Sequence, residues 1–245
     1  METVLFYVVI FLSHIMQGVT GFAGTLLAMP LSMRLVGTST AAPVLNGLGF
    51  AAGIYVFIEK RKCVVWKELA IVLAVMIPTM LGGAGLRRLL SGRERLLFVV
   101  FGILILLLSA KGIYDLLAEK RGWKTIRLPA AVRWGSLVLA GIVHGMFVCG
   151  GPFLIIYLTD RLPEKESFRA TLSTSWIFLN GILLIEQILA GEWSLQLLKL
   201  QLIALPVLVL AMLIGSILCR RMNQRVFMVV TYLLLVLSGI SLFFK

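Results

Sequence analysis

Two glycine-rich breaks, each set inside a long apolar stretch, constrain this chain more than any other feature. The first reads Gln17-Gly18-Val19-Thr20-Gly21-Phe22-Ala23-Gly24, the second His144-Gly145-Met146-Phe147-Val148-Cys149-Gly150-Gly151-Pro152. The stretches around them, 3–35 and 134–162, would each run roughly 45 Å as one helix, too long for a hydrocarbon core of about 30 Å. Inside lipid, non-helical backbone survives only where protein or a water-filled cavity satisfies its polar groups. A matched pair of interrupted apolar segments is the pattern of a ligand site built near the bilayer midplane.

Composition fixes the class. Of the 245 residues 60% are hydrophobic and 14% charged, with mean hydropathy +1.02, more apolar surface than a soluble domain can hide. The expectation is an all-α polytopic protein of the cell membrane, with the bilayer as its main partner. The net charge of +12 resides at segment ends, where basic residues set topology, and no soluble basic module exists to bind nucleic acid. Met1-Glu2-Thr3 has no basic region and no small-residue cleavage site precedes Gln17, so no secretory signal is expected. Cys63, Cys149 and Cys219 are isolated, without metal-ligand spacing, and neither a cofactor nor a metal is expected.

Six segments are long enough to cross unaided: 40–58, 66–86, 96–117, 167–189, 195–218 and 226–244. The two halves repeat at a constant offset of 127 positions, as from Gly18 to Gly145. That offset also matches Gly24 with Gly151, Arg34 with Arg161, Leu35 with Leu162 and Trp66 with Trp193. With small gaps Pro78 matches Pro206, and Gly82 with Arg87-Arg88 matches Gly215 with Arg220-Arg221. The expected organisation is a first repeat over 1–118, a basic linker over 119–133 and a second repeat over 134–245. Each repeat is one broken element plus three transmembrane helices.

Loop charge discriminates two topologies. If each broken element crosses once, the basic residues divide eleven to eleven between the faces, Lys111 being inside a helix. If each is a re-entrant hairpin, the groups at 60–67, 120–133, 161–169 and 220–225 share a face, and the division becomes fifteen to seven. That bias is the positive-inside pattern. It favours hairpins, three true spans per half, an inverted repeat and both termini outside.

The breaks feed short helices at about 22–34 and 151–160, whose N-termini carry unpaired N–H groups and partial positive charge. Such ends suit a small anion, and glycine permits close approach of a ligand to the backbone. The candidate substrate-binding residues are Gln17, Thr20, Gly21, Gly24, Thr25, Asn46, His144, Cys149, Gly150, Gly151, Arg169, Ser173 and Asn180, with Thr174 and Ser175 nearby. His14, His144 and Glu186 are ionisable groups within membrane segments and the candidates for proton coupling. Protons or Na⁺ are the candidate coupling ions, and a homo-oligomer is compatible with the sequence. Arg34 and Arg161 end their short helices, where a cation is favourable in any case.

A secondary transporter of a small anion fits this pattern best. No phosphate-binding loop is present, so a gradient would supply the energy. A passive anion channel is the alternative that also needs only a field of donors. An intramembrane enzyme acting on a lipid phosphate would need acid, base or nucleophile at the breaks, and no carboxylate lies there.

The motif running Gly18-Val19-Thr20-Gly21-Phe22-Ala23-Gly24-Thr25-Leu26-Leu27-Ala28-Met29-Pro30 resembles the first glycine-rich motif of the sulfite exporter TauE/SafE family of membrane permeases. The second motif, Gly145 to Pro152 followed by Arg169-Ala170-Thr171, resembles that family's second. The likeness covers the whole chain. It implies two four-element halves and a substrate among sulfur oxyanions and organosulfonates.

Overall fold

The computed structural model describes residues 2–89, 94–121 and 128–243. Of the basic residues weighed above, Arg93, Lys124, Arg127 and Lys245 lie outside the described residues, as do the side chains of Arg87, Arg88, Arg95 and Lys120. Described residues form helices α1 (Glu2–Thr20), α2 (Ala23–Val36), α3 (Thr38–Lys60), α4 (Trp66–Leu89), α5 (Glu94–Arg121), α6 (Ala130–Phe147), α7 (Gly151–Arg161), α8 (Lys165–Leu189), α9 (Leu195–Arg221) and α10 (Gln224–Leu242). A 3-10 turn at Arg61–Cys63 follows α3.

The broken elements reverse rather than cross. α1 closes with Gly21 N–H donating to Gln17 O (2.7 Å), and α6 with Val148 N–H donating to His144 O (2.8 Å). Gly21 (φ +87°) and Val148 (φ +55°) take up positive φ, and they are repeat mates at the 127 offset. Glycine adopts that backbone freely; for a β-branched valine it is strained. After each reversal the chain lies back on itself. A Cβ on Gly24 would stand 2.9 Å from His14 Cδ2, and one on Gly150 would stand 2.1 Å from Ala140 O. Ten residues of continuous helix would hold those groups about 15 Å apart. Each hairpin thus has a long first arm and a shorter second one.

The first arms α1 and α6 are themselves long and apolar enough to cross, as are Thr38–Cys63, Trp66–Leu86, α8 and α9. The remaining pair, α5 and α10, pack on one another: a Cβ on Gly102 would meet Gly239 O at 3.0 Å.

Ion pairs show which helix ends share a face. Lys60 pairs with Glu166 (2.9 Å), Arg161 with Glu68 (2.6 Å), and Glu59 with both Arg169 (3.2 Å) and Arg220 (2.9 Å). Lys165 Nζ donates to Cys219 O (3.0 Å), and Arg133 pairs with Asp160. The groups at 59–68, 160–169 and 219–224 therefore lie together, as the hairpin topology requires and a through-going one forbids. At the other end Glu2, Thr3, Val36, Ser39, Glu192 and Ser194 line one cleft. α1 and α6 consequently start from opposite ends of the molecule.

Helix pairings obey the repeat. α1 packs along α9 as α6 packs along α4, while α3 packs on α8 and α5 on α10. Small residues permit the close crossings, as expected where lipid gives no hydrophobic drive between helices. A Cβ on Gly18 would lie 2.9 Å from Gly215 Cα, and one on Gly145 would lie 1.9 Å from Met80 O. The glycine heading each motif is therefore a packing residue that seats its hairpin. Outward, α9 exposes Leu198, Leu202, Val209, Leu213 and Ile217, an apolar belt suited to lipid.

Candidate functional site

Both hairpin tips open on one small cavity. Its lining is Gln17, Phe22, Thr25 and Leu26 from the first hairpin, His144, Val148, Cys149 and Gly151 from the second, Gly49 from α3, and Trp176 and Asn180 from α8. Three pairs of these are repeat mates at the 127 offset: Gln17 with His144, Phe22 with Cys149, and Gly49 with Trp176. The cavity therefore sits where the two halves exchange.

The tips are held by side chains rather than by ordinary caps. Neither Phe22 at the start of α2 nor Gly150 at the start of α7 makes a side-chain cap bond. Gln17 substitutes across the first hairpin: its Oε1 accepts from Gly24 N–H (2.7 Å) and its Nε2 donates to Gly21 O (3.3 Å). Trp176 Nε1 also donates to Gly21 O, at 2.8 Å. In the second half Pro152 occupies the first turn of α7, where its missing N–H costs nothing, and Gly150 O accepts from Leu154 N–H (3.2 Å).

The cavity's polar groups are only partly satisfied. His144 is buried, its ring 5.2 Å from that of Trp176, and its nitrogens make no hydrogen bond of full geometry, the Asn180 amide being a polar neighbour. Asn180 Oδ1 is buried without a partner among the described residues. Thr25 Oγ1 reaches Leu45 O only at 3.4 Å. An unpaired imidazole N–H beside two helix N-termini is what a small anion would complete. The free space is about 20 Å³, room for about one water.

The other sequence candidates lie elsewhere. Thr20 is bonded back to Met16 O (2.8 Å), Thr174 to Ala170 O (2.7 Å) and Ser175 to Leu172 O (2.6 Å), each serving its own helix. Gly21, Gly24 and Gly150 form the hairpin turns behind the lining. Asn46 joins α3 to α8, donating to Asn180 O (3.2 Å) and Gln187 Oε1 (3.0 Å). His14 lies behind Gly24, with Nδ1–H donating to Ile10 O (2.8 Å). Glu186 is in the last turn of α8, away from the cavity lining. Ser173 and Arg169 lie one and two turns below Trp176. Sequence reasoning missed Phe22, Leu26, Gly49, Val148 and Trp176. The 127 offset carried a signal for two of them, since it pairs Phe22 with the candidate Cys149 and Val148 with the candidate Gly21.

The family model for Sulfite exporter TauE/SafE matches residues 6–242, a span that includes both hairpins, the cavity and all ten helices in whole or in large part. The chain belongs to the TauE/SafE sulfite exporter family. No curated protein and no solved structure matches it. As a TauE/SafE member it is a multi-pass membrane transporter.

Proposed function

We propose that this TauE/SafE protein is a secondary transporter of a small anion, a sulfur oxyanion or organosulfonate, bound between the two hairpin tips. The observation that carries the reading is the cavity lined by repeat mates from both breaks, with the buried His144 imidazole left without a partner among the described residues. Gly151 admits the ligand to the first turn of α7, and His144, Asn180, Gln17 and Thr25 surround it. His144 is the candidate to carry a coupled proton, being the ionisable side chain of the lining.

The repeat is inverted in this reading, since α1 and α6 start from opposite ends. The end rich in Lys and Arg faces the cytoplasm, and both termini face outward. Rocking one hairpin-bearing half against the other would widen the cavity toward each side in turn.

Gly151→Leu tests the site. A Cβ there stays 3.6 Å from Phe22, so the residue starts without a clash and its branches fill the cavity. Counterflow of radiolabelled sulfite in proteoliposomes should fall by more than about tenfold, while the melting temperature stays near wild type. Normal flux in Gly151→Leu would remove the cavity from the transport path.

A further inference from the structure

A buried arginine with idle donors is not accounted for by the cavity. Arg169, in the second turn of α8, is 1% exposed. Its Nη2 donates to Glu59 Oε2 (3.2 Å) and to Ser216 Oγ (2.6 Å). Its Nε and Nη1 have no hydrogen-bond partner among the described residues. Glu59 is shared, for its Oε1 also accepts from Arg220 (2.9 Å). One carboxylate between two guanidiniums leaves the cluster with an excess positive charge.

The cluster is connected to the cavity. Arg169, Ser173, Trp176 and Asn180 recur at i, i+4, i+7 and i+11, so they share one face of α8. Trp176 and Asn180 line the cavity, and Ser173 Oγ is buried without a partner among the described residues. Gly21, which accepts from Trp176, also lies against the lower part of this stripe: a Cβ on it would stand 2.7 Å from Ser173 Oγ and 3.5 Å from Arg169 Cγ. A polar stripe thus runs from the cavity toward the basic face. The other half lacks it. At the 127 offset the matching stripe on α3 is Ala42, Asn46, Gly49 and Gly53, while Glu59 corresponds to Glu186. The carboxylate is duplicated and the arginine is not.

A guanidinium presents two planar forks, Nε with Nη2 and Nη1 with Nη2, and an oxyanion binds best to one of them with two parallel bonds. Nη2 belongs to both. By holding Nη2 alone, Glu59 and Ser216 block both forks and leave the other two nitrogens idle. We propose that Arg169 is a second, one-sided anion position between the cavity and the basic face, and that Glu59 is an internal anion occupying it while substrate is absent. The inference rests on the transporter reading above and extends it. An oxyanion leaving the cavity takes a fork of Arg169 and shifts Glu59 onto Arg220, which already holds its other oxygen.

The test is thermal melting of purified protein titrated with sulfite. Glu59→Gln keeps the side chain's shape and removes its charge. It should melt lower than wild type without sulfite and recover with a half-saturating sulfite concentration about tenfold lower, because a competing state no longer taxes the affinity. Glu59→Gln combined with Arg169→Gln should lose that gain. Arg169→Lys keeps a cation for Glu59 but has no fork, so it should melt near wild type and need about tenfold more sulfite. Should Glu59→Gln fail to fold, Arg169→Lys alone decides. Midpoints equal to wild type in these variants overturn the Arg169 position while leaving the cavity standing. A wild type whose melting ignores sulfite, thiosulfate and sulfonates overturns both.

Discussion

At the scale of single residues, the glycines of one motif do different work. Gly145 is pressed on Met80 O, so even a methyl group would have to displace backbone of α4. Gly145→Ala should cost about 1–3 kcal/mol, the usual penalty of overpacking, read as a lowered melting temperature. Gly151→Ala has ordinary contact distance around its new Cβ and should melt within about 0.5 kcal/mol of wild type. The repeat made Gly18, Gly24, Gly145 and Gly151 visible in sequence, but their division into packing and lining residues was not. That division depends on which neighbouring helix passes within a few ångströms. Arg169 shows the same limit. Its residue type suggested an oxyanion ligand, whereas its place one step outside the cavity follows from Glu59 and Ser216, which lie 110 and 47 positions away.

At the scale of elements, the hairpin is stabilised by a cap supplied from its other arm. Gln17 bonds both Gly24 N–H and Gly21 O, so it closes the turn and satisfies the first turn of α2. Gln17→Ala should cost about 1–2 kcal/mol, as loss of a helix cap does, and a melting curve would check it. A Gln17→Ala protein as stable as wild type would mean that the hairpin holds without that cap. The second hairpin is built differently. His144 stands where Gln17 stands in the first, and Val148 occupies the left-handed position that Gly21 fills freely. Strained backbone of this kind persists only where its surroundings determine it, and here it lines the cavity. Loop charge, not hydropathy, favoured a reversal at each break. Hydropathy alone could not show that the chain turns back at residue 21, because apolar character continues through both arms.

At the scale of the whole molecule, loop charge and ion pairs agree on one arrangement. The hairpin topology groups the basic clusters at 60–67, 161–169 and 220–225, and Glu59, Glu68 and Glu166 tie those clusters together. In the proposed orientation the basic end is cytoplasmic and the C-terminus external. A reporter active only in the cytoplasm, fused after the last residue, should stay silent, and the same reporter inserted between Lys62 and Val65 should be active. A strong C-terminal signal would reverse the orientation. In the proposed mechanism a space for about one water is too small for an oxyanion to pass, so the two halves would move apart at α3 and α8, where Asn46, Asn180 and Gln187 join them.

The sequence by itself determined the helical membrane class, the duplication, the two breaks and the charge bias, because each depends on local hydropathy, glycine placement or the count of basic residues. The tertiary structure alone decided which of the candidate polar residues meet. The repeat brings the hairpin tips together, and the antiparallel crossing of α3 and α8 then selects Asn180 and Trp176 for the cavity while turning Asn46 into a tie between helices. Arg169 is set beside Glu59 by the same crossing. Such pairings connect residues more than a hundred positions apart, and their partners are fixed by packing geometry that no local pattern encodes.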